Sequence, residues 1–568
     1  MYSIELNLTK WMQASVRSTF PDYPELVDFV SVIRSTSPDF GDYQCNSAMS
    51  FAKVLKQKPR DIAEKIIAGL ESGPVVARCE IAGPGFINII LADDWLAKQV
   101  ERIADKDYLG KLPDKDAPLV VLDYSSPNFA KPMHIGHIRS TVIGNALDRI
   151  FRFLGFRVLA DNHIGDWGTQ CGVLIMGYRH FIDETALAES PVNELERVYV
   201  KSSEKSRQDP DWLDACRSEL VKLQGGDPEN LALWQKFVDL SMGEFERIYS
   251  RLDIKFDMTR GESYYHNMLA GLVAELEEKG LARESDGALV CFLEDEKLPP
   301  CIVRKSDGGF NYATTDIATI MNRVREFNPD KVVYVTDERQ QLHFKQFFAI
   351  ATKLGIETEL QHVWFGLMRL PEGTFSTRDG NVIKLELLLD EAETRALELV
   401  RENSPEMSEE MMAKVAKAVG IGAIKYTDLS QNPQSLVTFS WEKALSMNGN
   451  SAPYLQYAHA RIRSVADKYA ELFPDMDIKS YPLILNAPEE RALALRIAGF
   501  TDAVESAARM FKPNYLADYL YDLAGKYSVF YQNLPFLKAA EGTRESRMRL
   551  CAATAKTLRQ GLNLLGIE

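Results

Sequence analysis

Residues 118–137 read PLVVLDYSSPNFAKPMHIGH, and this stretch decides the fold. Its first part, Pro118 to Tyr124, is a short apolar run that predicts a buried strand. From Ile135 to Leu154 the apolar residues recur at helical spacing, and Gly155 is suited to end a helix. A buried strand that leads through a polar loop into a helix is the opening unit of a parallel sheet covered by helices. The stretch therefore predicts an α/β nucleotide-binding domain.

Two further strands extend this pattern. Arg157 to Ala160 and Lys331 to Val335 are apolar runs followed by polar turns, and the helical stretch Gln341 to Leu354 comes after the second. Strands that alternate with helices favour parallel pairing. We expect a Rossmann-type parallel-sheet domain over residues 116–385, with an insertion at about residues 183–285.

The segments on either side differ from this domain. Residues 1–115 end in a charged, proline-containing linker, and we expect a small α+β domain there. Residues 386–568 are dominated by amphipathic runs, which indicate an all-α bundle. The clearest runs are Met411 to Ala423, Glu490 to Met510 and Leu550 to Leu565.

Composition and charge limit the classes of protein. The chain has 568 residues, of which 46% are hydrophobic, so several ordinary globular domains are expected. No window reaches the roughly 18 apolar residues of a membrane span, and the first residues lack a signal-peptide pattern. The net charge of -15 argues against indiscriminate nucleic-acid binding. We expect a cytoplasmic monomer without membrane contact, in which RNA binds only through local basic patches.

The seven cysteines give no sign of a special chemistry. They are scattered and include no CxxC pair, so neither a disulfide framework nor a zinc site is predicted. We expect reduced, structural thiols.

The string His134-Ile135-Gly136-His137 stands at the predicted start of the helix. Helix N-termini present free N–H groups and the positive end of the helix dipole, and both favour a phosphate. Gly136 has no Cβ, so an adenine or ribose can approach the backbone there. The two imidazoles share one helix face and can donate to the same phosphate. Two histidines without a ligand are the alternative.

Residues 123–141, DYSSPNFAKPMHIGHIRST, resemble the arginyl-tRNA synthetase form of the class I motif. The resemblance implies activation of L-arginine with ATP and Mg2+ to arginyl-adenylate, with release of pyrophosphate. Arginine would then pass to the 2′-hydroxyl of the terminal adenosine of tRNA-Arg, with release of AMP. His134 and His137 would be catalytic and would bind ATP together with Gly136. The resemblance adds Met368 and Ser376 to the ATP site, and we assign no protein ligands to a metal.

The second phosphate loop departs from the class I pattern. Its usual form is the lysine-bearing KMSKS, whereas the counterpart here, residues 374–381, reads TFSTRDGN. Some arginyl-tRNA synthetases that lack the second lysine carry one just before the HIGH string, where Lys131 stands. The hypothesis is that Lys131 supplies positive charge to the developing pyrophosphate and that Arg378 assists. An ordinary surface turn is the alternative for residues 376–381.

A pocket for arginine is predicted from three separated segments. A guanidinium is planar, permanently charged and rich in donors, so its receptor needs carboxylates and an aromatic face. Asp123 ends the first strand, and Asn128 lies in the following loop. Tyr312 and Asp316 share a face if a helix begins there, and Gln340, after a later strand, would meet the polar end of the substrate. Singly, each has a structural explanation, such as a helix cap for Asp316 or a core position for Tyr312. Together the five match the family's arginine-binding positions.

Two outer regions resemble the tRNA-binding domains of the family. Phe86 and Asn88 point from one face of an apparent strand, and the resemblance implies contact with the tRNA D-loop. A packed sheet without RNA is the alternative. Tyr454, Tyr457 and Arg461 share one helix face, where stacking and phosphate contact can combine, although such stripes are more often core. The resemblance assigns this helix to the anticodon-binding domain.

Competing interpretations stay open on the sequence alone. Residues 166–170, DWGTQ, match the family and are assigned only to the active-site wall, with a structural turn as the alternative. For the whole chain, the alternatives are a class I synthetase for another amino acid, a smaller nucleotidyltransferase with the same histidine motif, and an RNA-binding protein with a decayed catalytic domain.

Overall fold

A computed structural model describes residues 3–369 and 384–568 of the chain. The chain divides into two compact units. The first contains Met1–Lys111 and Met447–Leu564, and the second contains Leu112–Ser446 and Leu565–Glu568. Within the described ranges, no helix combines the length and the apolar character that crossing a membrane requires. All seven cysteines are free thiols, as predicted.

The N-terminal part of the first unit is a four-stranded antiparallel sheet with helices. The helices are α1 (Ile4–Thr19), α2 (Ser47–Leu55), α3 (Pro59–Ala68) and α4 (Asp93–Asp105), and the strands are β1 (Val32–Arg34), β2 (Tyr43–Cys45), β3 (Val76–Ala82) and β4 (Phe86–Leu91). The strand order is β1, β2, β4, β3, so β4 lies inside the sheet. Ile87 and Ile89 on β4 are fully buried and join the core of this unit.

The second unit is built on a five-stranded parallel sheet in the order β12, β11, β5, β6, β7, as the apolar runs predicted. These strands are β5 (Leu119–Asp123), β6 (Arg157–Asn162), β7 (Met258–Thr259), β11 (Lys331–Asp337) and β12 (Glu359–Phe365). A three-stranded antiparallel sheet contains β8 (Ala282–Ser285), β9 (Ala288–Cys291) and β10 (Cys301–Arg304), and a small parallel pair contains β13 (Met368–Arg369) and β14 (Val437–Thr438).

Helices surround these sheets. The second unit contains α5 (Ile135–Phe153), α6 (Thr169–Phe181), α7 (Glu184–Glu189), α8 (Pro191–Gln208), α9 (Pro210–Gln224), α10 (Pro228–Arg251), α11 (His266–Glu278), α12 (Tyr312–Phe327), α13 (Gln341–Lys353), α14 (Leu385–Asn403), α15 (Glu409–Leu429) and α16 (Trp441–Ala444). Helix α5 begins at the histidine string, as predicted. Leu195 of α8 and Phe237 of α10, in the insertion, form one buried cluster with Leu174 of α6.

The C-terminal helices of the first unit form the predicted bundle. They are α17 (Ala452–Leu472), α18 (Pro488–Ala498), α19 (Phe500–Met510), α20 (Asn514–Asn533) and α21 (Thr543–Leu564). The amphipathic run from Glu490 to Met510 consists of two helices, because Gly499 interrupts it. Helices α14 and α15 belong to the second unit, so the sequence-based boundary after residue 385 falls inside that unit.

A buried ion pair ties α5 to α15. The guanidinium of Arg139 donates from Nε to Oδ1 of Asp428 at 2.9 Å, and both side chains are almost fully buried. The same guanidinium donates to the backbone carbonyls of Gly366 and Pro433, at 2.5 and 3.2 Å. Burial raises the pKa of Asp428, and Arg139 opposes this shift. The pair therefore fixes the helix that carries the histidine string against its neighbours.

We expect Asp428→Ala to destabilise the protein by about 3–5 kcal/mol, because it leaves a buried guanidinium without its counter-charge. The measurement is the midpoint of the first urea-unfolding transition. Glu409→Ala is the matched control, since the Arg401–Glu409 pair is exposed and screened by solvent, so its loss leaves the midpoint nearly unchanged. Equal midpoints for the two variants would contradict this role for the buried pair.

Candidate active site

Two aspartates lie side by side where the central parallel strands end. Asp123 of β5 and Asp161 of β6 are register partners, so their carboxylates would repel each other without a cation. Arg323 of α12 supplies that cation, because its Nη2 donates to Asp123 at 2.7 Å and to Asp161 at 2.6 Å. Arg323 is fully buried and Asp123 nearly so. Asp123 is therefore paired with an internal guanidinium, that of Arg323. No pattern in the sequence indicated this ion pair.

The histidine string forms the N-terminal cap of α5. Nδ1 of His134 accepts from the backbone N–H of Gly136 at 3.0 Å, and the backbone N–H of His134 donates to Nδ1 of His137 at 3.1 Å. The ring centroids of the two histidines are 3.9 Å apart. Because both Nδ1 atoms are acceptors, the proton of each neutral ring resides on Nε2. The cap thus leaves two Nε2–H donors for a ligand.

Both imidazoles are held in the neutral form. Burial lowers the pKa of His137 to about 3, and the neighbouring His134 adds to this shift. Burial also lowers the pKa of His134, with further contributions from Lys131 and Arg339. At neutral pH the pair donates hydrogen bonds without positive charge. The positive charges that lower the pKa of His134 are those of Lys131 and Arg339.

The loop before this cap carries Lys131 and Asn128. The ammonium of Lys131 lies 4.8 Å from the ring centroid of Tyr199, a residue of α8 in the insertion. Asn128 is exposed and forms a parallel bridge with Gly165. A Cβ on Gly165 would come within 2.2 Å of Oδ1 of Asn128, so only glycine leaves room for this amide.

The first turn of α12 presents an aromatic ring and a carboxylate together. Tyr312 is its first residue and is 62% exposed, so its ring is open to solvent rather than part of the core. Asp316 lies one turn later, and its Oδ2 is 2.5 Å from Nε2 of His343 on α13. His343 thereby orients Asp316, and the N-cap of α12 is Asn311, so Asp316 does not act as a helix cap.

A further carboxylate joins this group from a loop. Glu262 begins the short helical turn Glu262–Tyr265, and its pKa is raised to about 8. Burial is the largest cause, and the like charges of Asp316 and Asp166 follow. Glu262 in turn contributes, after burial, to the raised pKa of Tyr312. Every cause of this shift raises the pKa of Glu262, so the pocket disfavours a further negative charge, and a bound cation would favour the ionised carboxylate.

The DWGTQ segment holds this turn in place. Oδ1 of Asp166 accepts from the backbone N–H of Ser263 at 2.9 Å, and Oδ2 accepts from its hydroxyl at 2.6 Å. A Cβ on Gly261 would meet the Asp166 carboxylate at 2.3 Å, so the close approach requires glycine. The segment assigned to the active-site wall therefore positions Glu262 through Ser263.

The remaining predicted residues fall in three places. Gln340 is exposed and ends the turn Glu338–Gln340, directly before α13. Met368 is the first residue of β13 and is half-buried. Ser376 and Arg378 lie outside the described residues.

Three family models cover most of this sequence. "tRNA synthetases class I (R), catalytic domain" matches residues 99–441, "Arginyl tRNA synthetase N terminal domain" matches residues 7–91, and "DALR anticodon binding domain" matches residues 455–568. The chain is also 46% identical over 565 residues to an arginine–tRNA ligase of Fusobacterium nucleatum, covering 99% of this chain and 98% of that protein. For the ligase of Chromobacterium violaceum the identity is 45%, with 96% of each chain covered. The chain belongs to the arginyl-tRNA synthetase family.

Solved structures of the family have the same architecture. Plasmodium falciparum arginyl-tRNA synthetase superposes with a TM-score of 0.84 at 28% identity, covering 100% of this chain and 99% of that one. The Thermus thermophilus enzyme gives a TM-score of 0.84 at 25% identity, with 99% of each chain covered. The predicted class I fold, with its N-terminal domain and helical C-terminal domain, is confirmed.

The residues predicted to face tRNA differ in accessibility within this synthetase. Phe86 is half-buried, whereas Asn88 is only 4% exposed and its Oδ1 accepts from Gln44 at 2.8 Å. On strand β4, Asn88 pairs with Gln44 of β2 and Glu80 of β3. Tyr457, by contrast, is 48% exposed.

Helix α17 carries an aromatic and basic face. The guanidinium of Arg461 lies 5.2 Å from the ring centroids of both Tyr457 and Tyr531. These three residues line a cleft of about 840 Å³, together with Lys468 and Lys538. Tyr454 is half-buried and packs edge-on against Tyr521 instead. The cleft therefore combines stacking surfaces with positive charge.

Proposed function

We propose that this protein is an arginine–tRNA ligase that joins L-arginine to tRNA-Arg at the expense of ATP. One observation carries the choice of amino acid: the carboxyl groups of Glu262 and Asp316 lie close enough to interact, in a pocket that also presents the exposed ring of Tyr312. A guanidinium matches this receptor, because it pairs with carboxylates through several donors and stacks on an aromatic face. Near-full-length similarity to curated arginine–tRNA ligases supports the same assignment.

Adenylate formation needs little covalent participation by the protein. The carboxylate of arginine attacks the α-phosphate of ATP, the bond to the β-phosphate breaks, and pyrophosphate leaves. We assign the Nε2–H groups of His134 and His137 to the phosphates, with Gly136 giving the nucleotide room to approach. Lys131 supplies positive charge to the leaving group. The predicted roles of Met368, Ser376 and Arg378 remain part of this proposal.

The proposed arginine site keeps the five predicted residues and adds Glu262. Asp316, oriented by His343, and Glu262, positioned by Asp166, bind the guanidinium, and Tyr312 stacks on it. Asn128 and Gln340 hold the α-amino and carboxylate end. Asp123 belongs to the wall of this site, and its charge is shared with Arg323.

Magnesium would enter this site bound to the phosphates of ATP. In the described part of the chain, no group of three or more His, Cys, Asp or Glu side chains could hold a metal ion. Magnesium binds readily through substrate phosphates and water. When bound, it would neutralise charge on the phosphate oxygens, while His134 and His137 orient them.

The second half-reaction requires the tRNA. The 2′-hydroxyl of the terminal adenosine attacks the arginyl carbonyl, and AMP leaves. We assign anticodon contact to the α17 cleft with Tyr457 and Arg461, and include Tyr454 at its margin. Phe86 remains the proposed contact for the D-loop, and Asn88 orients Gln44 beside it. The protein acts as a cytoplasmic monomer in this proposal.

Charging of total tRNA with each labelled amino acid tests the proposed function. We expect ATP-dependent charging with arginine alone. Charging with another amino acid would favour a different class I synthetase. A protein that binds tRNA without charging it would favour a decayed catalytic domain.

We expect Asp316→Ala to raise the KM for arginine about 100-fold or more, because it removes a charge-assisted partner of the guanidinium. The KM for ATP should change little. Arginine and ATP titrations in the charging assay measure both constants. A parallel rise in the two would contradict the assignment of Asp316 to the arginine pocket.

Arginine binding should release a proton. The pKa of Glu262 is raised to about 8, so its carboxyl is mostly protonated at pH 7, and a bound guanidinium favours the ionised form. Affinity should therefore increase as the pH rises from 6 to 8, by up to about tenfold per unit. Calorimetry in buffers of different ionisation enthalpy counts the protons. Glu262→Gln should abolish both the release and this pH dependence; an unchanged slope in that variant would contradict the role of Glu262.

A further inference from the structure

A second lysine stands beside the histidine cap. Lys384 precedes α14, and its backbone forms an antiparallel bridge with His134. The N–H of Leu385 donates to the carbonyl of Met133 at 2.8 Å, which fixes the register of this contact. Lys384 is thus attached to the phosphate-binding cap by backbone pairing, although it lies far from it in sequence.

Helix α8 holds the side chains of both lysines. The ammonium of Lys384 donates to Oδ1 of Asn193 and lies 3.7 Å from Oε2 of Glu196. The ammonium of Lys131 lies over the ring of Tyr199. Asn193, Glu196 and Tyr199 follow at intervals of three, so each is a neighbour of the next on the surface of α8. The ammonium groups of Lys131 and Lys384 therefore both contact side chains of α8.

The contacts of Lys384 with α8 are weak enough to exchange. The side chains of Lys384 and Glu196 are 39% and 37% exposed, and their separation is long for an ion pair. Partly exposed pairs of this kind contribute little to stability. A triphosphate, with several negative charges, attracts an ammonium more strongly than one carboxylate and one amide do. Movement of the Lys384 side chain from α8 to ATP is therefore energetically accessible.

Arg339, which also lies near the cap, is less suited to such an exchange of partners. Arg339 is bound by Asp337, with its Nε and Nη2 at 2.7 and 3.1 Å from the two carboxylate oxygens. A chelated guanidinium loses two hydrogen bonds when it leaves its partner. Lys384 loses only one hydrogen bond and a long ion pair.

We propose that Lys384 is a second phosphate-binding cation of this enzyme and that α8 holds it, together with Lys131, until ATP binds. The inference rests on the proposed ATP site at His134 and His137. Lys384 would donate hydrogen bonds to the pyrophosphate as the bond between the α- and β-phosphates breaks, without giving up a proton. The KMSKS pattern has two lysines and residues 374–381 have none, so Lys384 would supply a second positive charge in addition to that of Lys131.

The test is ATP–pyrophosphate exchange by the full-length enzyme, with arginine and tRNA-Arg present. We expect Lys384→Ala to lower kcat/KM for ATP about 10- to 100-fold, the loss expected for one hydrogen bond to a charged group. The KM for arginine should stay within about twofold, since the guanidinium site is separate. Lys384→Arg, which keeps the charge, should recover most of the activity.

Matched variants separate phosphate contact from structural support. Lys353→Ala removes another lysine that is paired at the surface, with Glu296, and should leave kcat/KM unchanged. Asn193→Ala combined with Glu196→Gln releases Lys384 from α8 without removing it and should leave kcat/KM for ATP unchanged or raise it. If this double variant lost as much activity as Lys384→Ala, the contact with α8 would be the function of the lysine and the proposal would be overturned.

Two other results would also overturn the proposal. Lys384→Ala could behave like Lys353→Ala, or it could raise the KM values for arginine and ATP equally. His134→Asn tests the underlying ATP site independently, because its activity should be lost whatever Lys384 does. An active His134→Asn would therefore indicate failure of the ATP-site assignment, whereas an inactive His134→Asn with a normal Lys384→Ala would indicate failure of this inference alone.

Discussion

The buried guanidinium of Arg323 between Asp123 and Asp161 is the interaction on which the active site depends. Parallel pairing puts the two aspartates side by side at the ends of β5 and β6, and this arrangement is stable only with a cation between them. Arg323 comes from α12, two turns after Asp316 on the same helix face. Neutralising the sheet edge therefore also fixes the helix that carries Asp316 and Tyr312, the residues proposed to bind arginine.

The second unit thus contains two pairs of acidic residues, and the pairs have different partners. Asp123 and Asp161 are paired with an internal arginine, whereas Glu262 and Asp316 lie together with no cation among the groups that shift the pKa of Glu262. In our proposal the substrate supplies that missing cation. A neutral or shorter amino acid would leave carboxylates desolvated and unpaired, which is costly, so selection by binding alone can be strong without an editing domain.

The features that depend on residues close together in the chain could be predicted from the sequence. Strand β5, helix α5 and the histidine cap follow from apolar periodicity and a helix start, and the aromatic and acidic pair on α12 follows from a spacing of four. The partners of these residues could not be predicted, because they are distant in the chain: Arg323 is 200 residues from Asp123. Glu262 carried no sequence signal, since it lies in a short turn whose position depends on Asp166. The alternation along β4 placed Asn88 on one face but did not reveal that Asn88 itself is buried beside Gln44.

Binding of arginine and of citrulline, compared by calorimetry on the wild-type enzyme at pH 8, tests the central claim most directly. Citrulline has nearly the same shape but a neutral urea group in place of the guanidinium. If Glu262 and Asp316 recognise the charge of the substrate, arginine should bind at least about 100-fold more tightly than citrulline. Affinities within about tenfold of each other would mean that the pocket recognises shape and that the carboxylates do not determine specificity.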